Sequence, residues 1–307
     1  MKVNVEEIQE LLNITGNYQA VYEYLGINRN VSKTPACFII KRQDLYEVFK
    51  TYHHHDIYEI IYVKKGDIDF YIEEKKYQLT DGDLLLIPPN VLHKLVFTKG
   101  NECKRYIINF TKEYCNKFLT TNTNILTIFN LITEKGMHKI SLFPEKRKKF
   151  ETIFESMSEN CFSNEYGDDL KFAINFAEIM LTTNRIYMNL PEKDLIQENI
   201  NDPYVTKIIE YINEHISEKI TLDDIASNLS LSISRISHLF KNLTGTSIVN
   251  YIIKKRLVMS KELLKSGETI KKTCYKCGFP DETSFFKYFK QEFNITPKKY
   301  ILTQKNI

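Results

Sequence analysis

Long apolar runs are missing from this sequence. Stretches such as Leu84-Leu85-Leu86-Ile87 fall far short of the roughly 20 residues a helix needs to cross a bilayer, which excludes a spanning helix, and no membrane partner is expected. The opening Met1-Lys2-Val3-Asn4-Val5-Glu6-Glu7 lacks a basic-then-apolar leader, so a cytoplasmic location is expected. A dense cysteine framework is missing too. The six cysteines stand at 37, 103, 115, 161, 274 and 277, a scatter that predicts reduced thiols rather than disulfide staples. Cys274-x-x-Cys277 is half of a zinc pattern. No second Cys/His pair lies near it, so two small buried residues on a helix are expected.

What is present is a globular composition: 43% hydrophobic and 12% aromatic over 307 residues, enough for two domains with their own cores. The net charge of +3 is unevenly placed. Residues 201–307 hold 17 Lys and Arg against 11 Asp and Glu, a net +6, while residues 1–200 hold 25 and 28, a net −3. The C-terminal third is where a polyanion would bind.

That third repeats itself with a period of about 48 residues. The first copy runs Leu222, Ile225, Ala226, Leu229, Ser230, Leu231, then Ile236-x3-Phe240-Lys241-x3-Gly245-x5-Tyr251. The second runs Ile270, Thr273, Cys274, Cys277, Gly278, Phe279, then Phe285-x3-Phe289-Lys290-x3-Asn294-x5-Tyr300, with one residue added between its halves. Each copy reads as helix, tight turn, helix. Thr221 ahead of Asp224 predicts a capping box, and Gly245 a left-handed stop. Asn294 takes the place of Gly245, because Asn is the next residue to tolerate that conformation. Cys274 and Cys277 take the places of Ala226 and Leu229, which accounts for the pair without metal.

The opposite face of each second helix carries hydrogen-bonding and basic side chains: Ser234, Arg235, Ser237, His238 and Lys241 in the first, Thr283, Ser284, Lys287, Lys290 and Gln291 in the second. Such groups reach base edges and phosphates of duplex DNA. Phe286 falls on the rim of the second face. It either presses on a thymine methyl or packs inward. Between the copies, Ser247 to about Leu264 predicts one long helix ended by Ser266-Gly267. A rigid connector could hold the reading helices in successive major grooves, about 34 Å apart. Asp202-Pro203 predicts a capped helix start ahead of the repeat.

Here the sequence resembles the AraC family of bacterial regulators. The resemblance rests on Ile225-Ala226, Leu229, Leu239-Phe240-Lys241, Gly245-Thr246-Ser247, Tyr251, Arg256-Leu257, Leu263-Leu264, Gly278-Phe279-x-Asp281, Phe285, Phe289-Lys290 and Thr296-Pro297-x2-Tyr300. Departures are Thr273, Cys274, Cys277 and Asn294, conservative in size or geometry, and Phe286, where the family commonly has a small polar residue.

Residues from about 35 to 110 read as short strands separated by Lys65-Gly66-Asp67, Asp81-Gly82 and Pro88-Pro89-Asn90. Ile68, Phe70 and Ile72 alternate with polar residues. A jelly-roll barrel is expected. His53-x-His55-x3-Glu59-x6-Gly66 and Gly82-x5-Pro88-x-Asn90-x2-His93 resemble the two cupin motifs, with Asn90 for a Gly, and without the Gly before the first His or the Asn after the last. Strand alternation would put His53 and His55 on one side and His54 on the surface. With Glu59 and His93 they could bind a divalent transition metal such as Zn²⁺, Mn²⁺, Fe²⁺ or Ni²⁺. In the AraC family such a set also occurs without metal dependence, so no cofactor is assigned. Tyr52, Tyr58, Tyr62, Phe70 and Tyr71 supply aromatic surface for a pocket at the barrel mouth or for the core. His53, His55, Tyr58, Glu59 and His93 are the expected ligand-binding set. The resemblance implies a sugar-like effector.

From about 112 to 190 the pattern is helical, with apolar stripes Phe150, Ile153, Phe154, Met157 and Phe172, Phe176, Ile179, Met180. They are expected to pair subunits in a homodimer; the alternative is packing on the barrel wall. Lys146 to Lys149 read as a solvated helix start.

The fold class expected is therefore α+β and multidomain. A cupin-like β-barrel with flanking helices (residues 1–190) is joined by a linker (191–202) to an all-α domain of two helix-turn-helix motifs (203–307). The function expected is a sequence-specific transcription regulator, an activator and not an enzyme, with duplex DNA, a small-molecule effector and RNA polymerase as partners. The second reading is a metal-dependent cupin oxygenase or isomerase carrying a DNA-binding tail.

Overall fold

The computed structural model describes residues 37–44, 52–73, 75–97, 102–161, 163, 165–191 and 202–305. They form two compact units, one β-rich and one helical. The expected linker lies almost wholly outside the described residues.

The strands are β1 (Cys37–Asp44), β2 (Tyr58–Lys65), β3 (Ile68–Ile72), β4 (Lys75–Leu79), β5 (Asp83–Ile87), β6 (His93–Phe97), β7 (Cys103–Phe110) and β8 (Lys139–Ser141). Five pair in the order β1-β7-β2-β5-β8, antiparallel throughout, and three in the order β4-β3-β6. The larger sheet is buried on both faces. Ile39, Ile60, Tyr62, Leu84, Leu86, Tyr106 and Ile108 join the core shared with the helices. The alternate positions Ile40, Glu59, Ile61, Val63, Leu85, Ile87, Arg105, Ile107 and Asn109 are buried as well. Two-sided burial is why β5 is buried end to end, whereas β3 alternates buried and half-buried positions.

The helices of this unit are α1 (Lys112–Asn116), α2 (Thr127–Lys135), α3 (Pro144–Asn160) and α4 (Asp168–Met188). Both predicted stripes are spent inside the protomer, which corrects the expectation that they pair subunits. Phe150, Phe154, Met157, Phe172, Phe176, Ile179 and Met180 all sit in the core with the sheet. The Phe154 ring stacks on Tyr62 at 5.0 Å and on Tyr106 at 5.4 Å. At the edge of this contact Glu155 accepts hydrogen bonds from Lys41 (2.7 Å), Tyr106 (2.9 Å) and Lys64 (3.3 Å), tying α3 to three strands. The Lys41 bond first, then the Tyr106 bond, hold its carboxyl down to about 2. Buried Asn184 of α4 receives the Ile128 N–H (3.0 Å) and donates to Ile125 (2.9 Å), fixing the start of α2.

The helical unit holds α5 (Pro203–His215), α6 (Leu222–Asn228), α7 (Ile233–Thr244), α8 (Ile248–Lys265), α9 (Ile270–Lys276), α10 (Glu282–Phe293) and α11 (Pro297–Lys305). Its boundaries follow side-chain chemistry. Asp202 caps α5, and Thr221 with Asp224 closes both bonds of a capping box on α6. Gly245 ends α7 at φ 73° and Asn294 ends α10 at φ 56°, so the two copies stop alike. Inside each motif the turn also needs a left-handed residue: Ser230 (φ 53°) in the first, Gly278 (φ 78°) in the second. Cys274 and Cys277 lie in the apolar core of the second motif with Phe285, Phe289 and Tyr300.

The α8 connector does more than span. Its buried Arg256 donates from Nε to the Ile216 carbonyl (3.0 Å) and from Nη2 to the Glu218 carbonyl, just past the end of α5. Gly278 sits against the same groups. A Cβ there would lie 2.6 Å from the Ile216 oxygen and 2.9 Å from Arg256 Nη2.

Gly278→Ala is therefore expected to destabilise the helical unit by about 1–3 kcal/mol, from left-handed strain and the close contact. Asn294→Gly should be neutral or stabilising by up to about 1 kcal/mol. Thermal unfolding of the two variants checks the contrast. Glu155 gives a pH signature. Its folded pKa lies below the ordinary 4.5, so its contribution is present above that pH and is lost as pH falls toward about 2. An acid titration followed by circular dichroism should be flatter over that window for Glu155→Gln.

Candidate functional site

Two sites emerge, one in each unit. In the helical unit, α7 and α10 are held by the same devices. Ser232 caps α7 by accepting the Arg235 N–H, and Asp281 caps α10 by accepting the Ser284 N–H (2.7 Å). Each helix buries one stripe: Ile236, Phe240 and Thr244 on α7, Phe285 and Phe289 on α10. With Ile236 matched to Phe285, the outward positions pair as Ser234 with Thr283, His238 with Lys287, Lys241 with Lys290, and Asn242 with Gln291. All eight are exposed.

Arg235 is exposed as well. Its counterpart Ser284 is half-buried, and its hydroxyl donates to the Asp281 carboxylate (3.0 Å), so it serves the cap. Asn242, which sequence reasoning passed over, has its amide nitrogen 3.3 Å from His238 Nδ1 and belongs to the same exposed row. The matched pair Ser237 and Phe286 is half-buried in both copies. Phe286 packs against the core of the second motif, its ring edge-on to Phe285 at 6.2 Å. Part of that ring is thus committed to folding.

In the β-rich unit, a buried group gathers at one end of β2. His55 precedes the strand, Glu59 is its second residue, and His93 opens β6. Their side chains are 8%, 3% and 1% exposed. Glu59 Oε2 lies 3.1 Å from His55 Nε2 and 3.5 Å from His93 Nε2. Each ring is aimed by a backbone carbonyl: Nδ1 of His55 donates to Ile57 (2.9 Å) and Nδ1 of His93 to Val91 (2.8 Å). The His93 ring stacks on Phe70 at 5.8 Å. Asn90, standing where the motif has a Gly, adopts φ 64°, and its N–H donates to the His55 carbonyl (2.7 Å). That bond brings the two motifs together. Burial alone would push the His55 imidazolium down. The hydrogen bond and charge of Glu59 outweigh it and hold the pKa above its ordinary 6.5.

Not every expected residue joins. Among the described residues, the group with converging ligand atoms is His55, Glu59 and His93, all within 4.8 Å of one another, and His53 is not in it. His53 and His55 lie outside regular strand, so strand alternation does not align them. His54, expected at the surface, is half-buried. Tyr58 takes the opposite face of β2 from Glu59, stacked on Phe110 at 5.3 Å and edge-on to Phe129 at 4.7 Å. It is a core residue here, as is Tyr62.

Among the described residues, no helix is long and apolar enough to cross a membrane. Residues 36–125 match a family model described as an AraC-like ligand binding domain, and residues 225–302 one described as a helix-turn-helix domain, together more than half of the chain. The HTH-type transcriptional regulator YdeC of Bacillus subtilis is 23% identical over 283 residues, covering 89% of this chain and 93% of that protein. The HTH-type transcriptional activator RhaS of Escherichia coli is 23% identical over 252 residues, covering 80% and 85%. Among solved structures, an apo ToxT variant of Vibrio cholerae is 15% identical over 89% of this chain and all of that one, with a TM-score of 0.39. The DNA-binding domain of AdpA in complex with a target DNA is 20% identical over 34% of this chain and 96% of that one, at 0.33. The matched ligand-binding and helix-turn-helix segments, with relatives that align along most of the chain, place it in the AraC family of DNA-binding transcription regulators.

Proposed function

We propose that α7 and α10 are the base-reading helices of this regulator, and that a small molecule bound in the β-rich unit controls them. The observation that carries the reading is the repetition. Two helices of equal length have the same caps and the same left-handed stop, and each turns a hydrogen-bonding, basic face to solvent. Ser234, Arg235, Ser237, His238 and Lys241 would read from the first, and Thr283, Lys287, Lys290 and Gln291 from the second. Ser284 and Phe286 would contribute what their packing leaves exposed. A sugar-like effector is the first choice because of the resemblance of the β-rich unit, and activation through RNA polymerase agrees with relatives named as activators.

A homodimer would pair through a surface other than the buried stripes. Leu170 and Ile174, one turn apart on α4, are 62% and 60% exposed and suit that role. The second reading, a cupin enzyme with a DNA-binding tail, has less behind it: the full-length relatives are named as regulators.

Residues 201–307 alone are expected to bind duplex DNA, with affinity falling steeply as salt rises. Replacing Lys241, Lys287 or Lys290 by Gln should each lower the salt slope by about one where the lysine meets a phosphate. Fluorescence anisotropy across a salt series checks this, and salt-independent binding would refute it. For Phe286, uracil in place of the contacted thymine should weaken wild-type binding by about 1 kcal/mol and leave Phe286→Ser unaffected. Equal losses in both proteins would assign the ring to packing alone.

A further inference from the structure

We infer that the inner wall of the larger sheet binds a small hydroxylated acid, its carboxylate or phosphate held by Arg42 and Arg105 and a hydroxyl held by Asn109. The inference rests on the effector reading above and narrows its sugar-like molecule to an acidic one.

The strand period decides which face these residues occupy. On β7, Tyr106, Ile108 and Phe110 join the core shared with the helices, so Arg105, Ile107 and Asn109 lie on the other side. On β1, Lys41 reaches Glu155 of α3, so Ile40 and Arg42 share that other side. The smaller sheet closes over it, because His93 of β6 comes within 3.5 Å of Glu59. The wall is therefore an interior surface, and it is laid out in rows. Ile40, Ile107, Ile61 and Leu85 are register neighbours and make an apolar belt. Arg42 and Arg105 pair on one side of the belt, and Asn109, paired with Glu59, stands on the other. An apolar wall with a few placed polar groups is the usual lining of a small-molecule site.

The polar groups set the chemistry. Arg42 and Arg105 are 5% and 1% exposed, and a guanidinium keeps its charge when buried. Like charges directly across an antiparallel pair repel. Both arginines also interact elsewhere in the chain. A guanidinium has five donors in a planar fork, however, and two side by side make a wide cradle for an oxyanion. Asn109 gives the second fixed point. It is fully buried, and among the described residues neither its amide nitrogen nor its amide oxygen meets a hydrogen-bond partner. A buried amide left so is costly, and a hydroxyl, which both donates and accepts, can answer either atom. From Arg105 to Asn109 is four residues of strand, about 13 Å, part of which the long arginine side chain can cover. The remainder suits a molecule of sugar size.

The test uses the full-length protein with matched neutral and acidic probes at constant ionic strength: galactose with galacturonate, and glucose with glucuronate and glucose 6-phosphate. Melting temperature and calorimetric titration are the readouts, and the last two acids separate a carboxylate from a phosphate. At least one acid is expected to bind and to raise the melting temperature, its neutral parent binding at least about 10-fold more weakly. Arg42→Gln and Arg105→Gln should each weaken that acid by on the order of 10-fold or more. Asn109→Leu should weaken it by about 10-fold too, yet leave the melting temperature of the ligand-free protein unchanged or higher, because it removes an unsatisfied amide. A merely structural Asn109 would instead lower that temperature. Circular dichroism checks the fold of each variant. Should the glutamine variants misfold, Arg105→Lys, which keeps the charge and loses the fork, is used with Asn109→Leu. Folded wild-type protein that binds none of the three acids would overturn the site, as would acid binding unchanged in the folded variants. Binding of a neutral sugar alone would overturn the acid and keep the effector reading. An acid that binds without altering affinity for DNA would keep the site and overturn the effector reading.

Discussion

The Arg256 guanidinium organises the helical unit. One buried side chain from the connector α8 reaches the carbonyls that trail α5, and the second motif's turn closes over it at Gly278, where no side chain would fit. The seating of the second motif's turn on the end of α5 therefore depends on a few hydrogen bonds from one buried side chain. A buried guanidinium is costly unless its donors are satisfied, so this contact is made with good geometry or not at all. The caps and left-handed stops shape α7 and α10 separately. Arg256 ties the connector α8 and the second motif's turn to the end of α5.

Much of this unit could be read from the sequence because its signals are local. Thr221 with Asp224, Gly245, and Asn294 in a glycine's place each act within a few residues, and each does so in the fold. Arg256 was visible only as a matched letter, since its partners lie about 40 positions away. The regulator family was legible because the local signals come twice, and a repeat is evidence from two places at once.

The β-rich unit was harder. A sheet buried on both faces loses the polar alternation that tells one face from the other, so Tyr58 and Tyr62 could not be assigned to pocket or core. The strand β8, three residues long, is too short to show a period. Stripes on α3 and α4 mark a covered surface without saying what covers it, and the covering proved to be the protomer's own sheet. His53 was grouped with His55 by a strand rule, in a stretch that is not regular strand. Glu59 and His93, each at the start of a regular strand, were found by spacing alone and do converge.

The two outward faces in the helical unit are repeats in backbone but not in chemistry. Where the first carries Arg235 and His238, the second carries Ser284 and Lys287, and Ser237 gives way to Phe286. A DNA segment contacted by both faces of one chain would be read by two different vocabularies, so reversing it end for end would present each helix with the wrong bases. Such a segment needs no palindrome and has a polarity. A single protomer could then point along the chromosome in one direction, which a symmetric pair of identical helices cannot do.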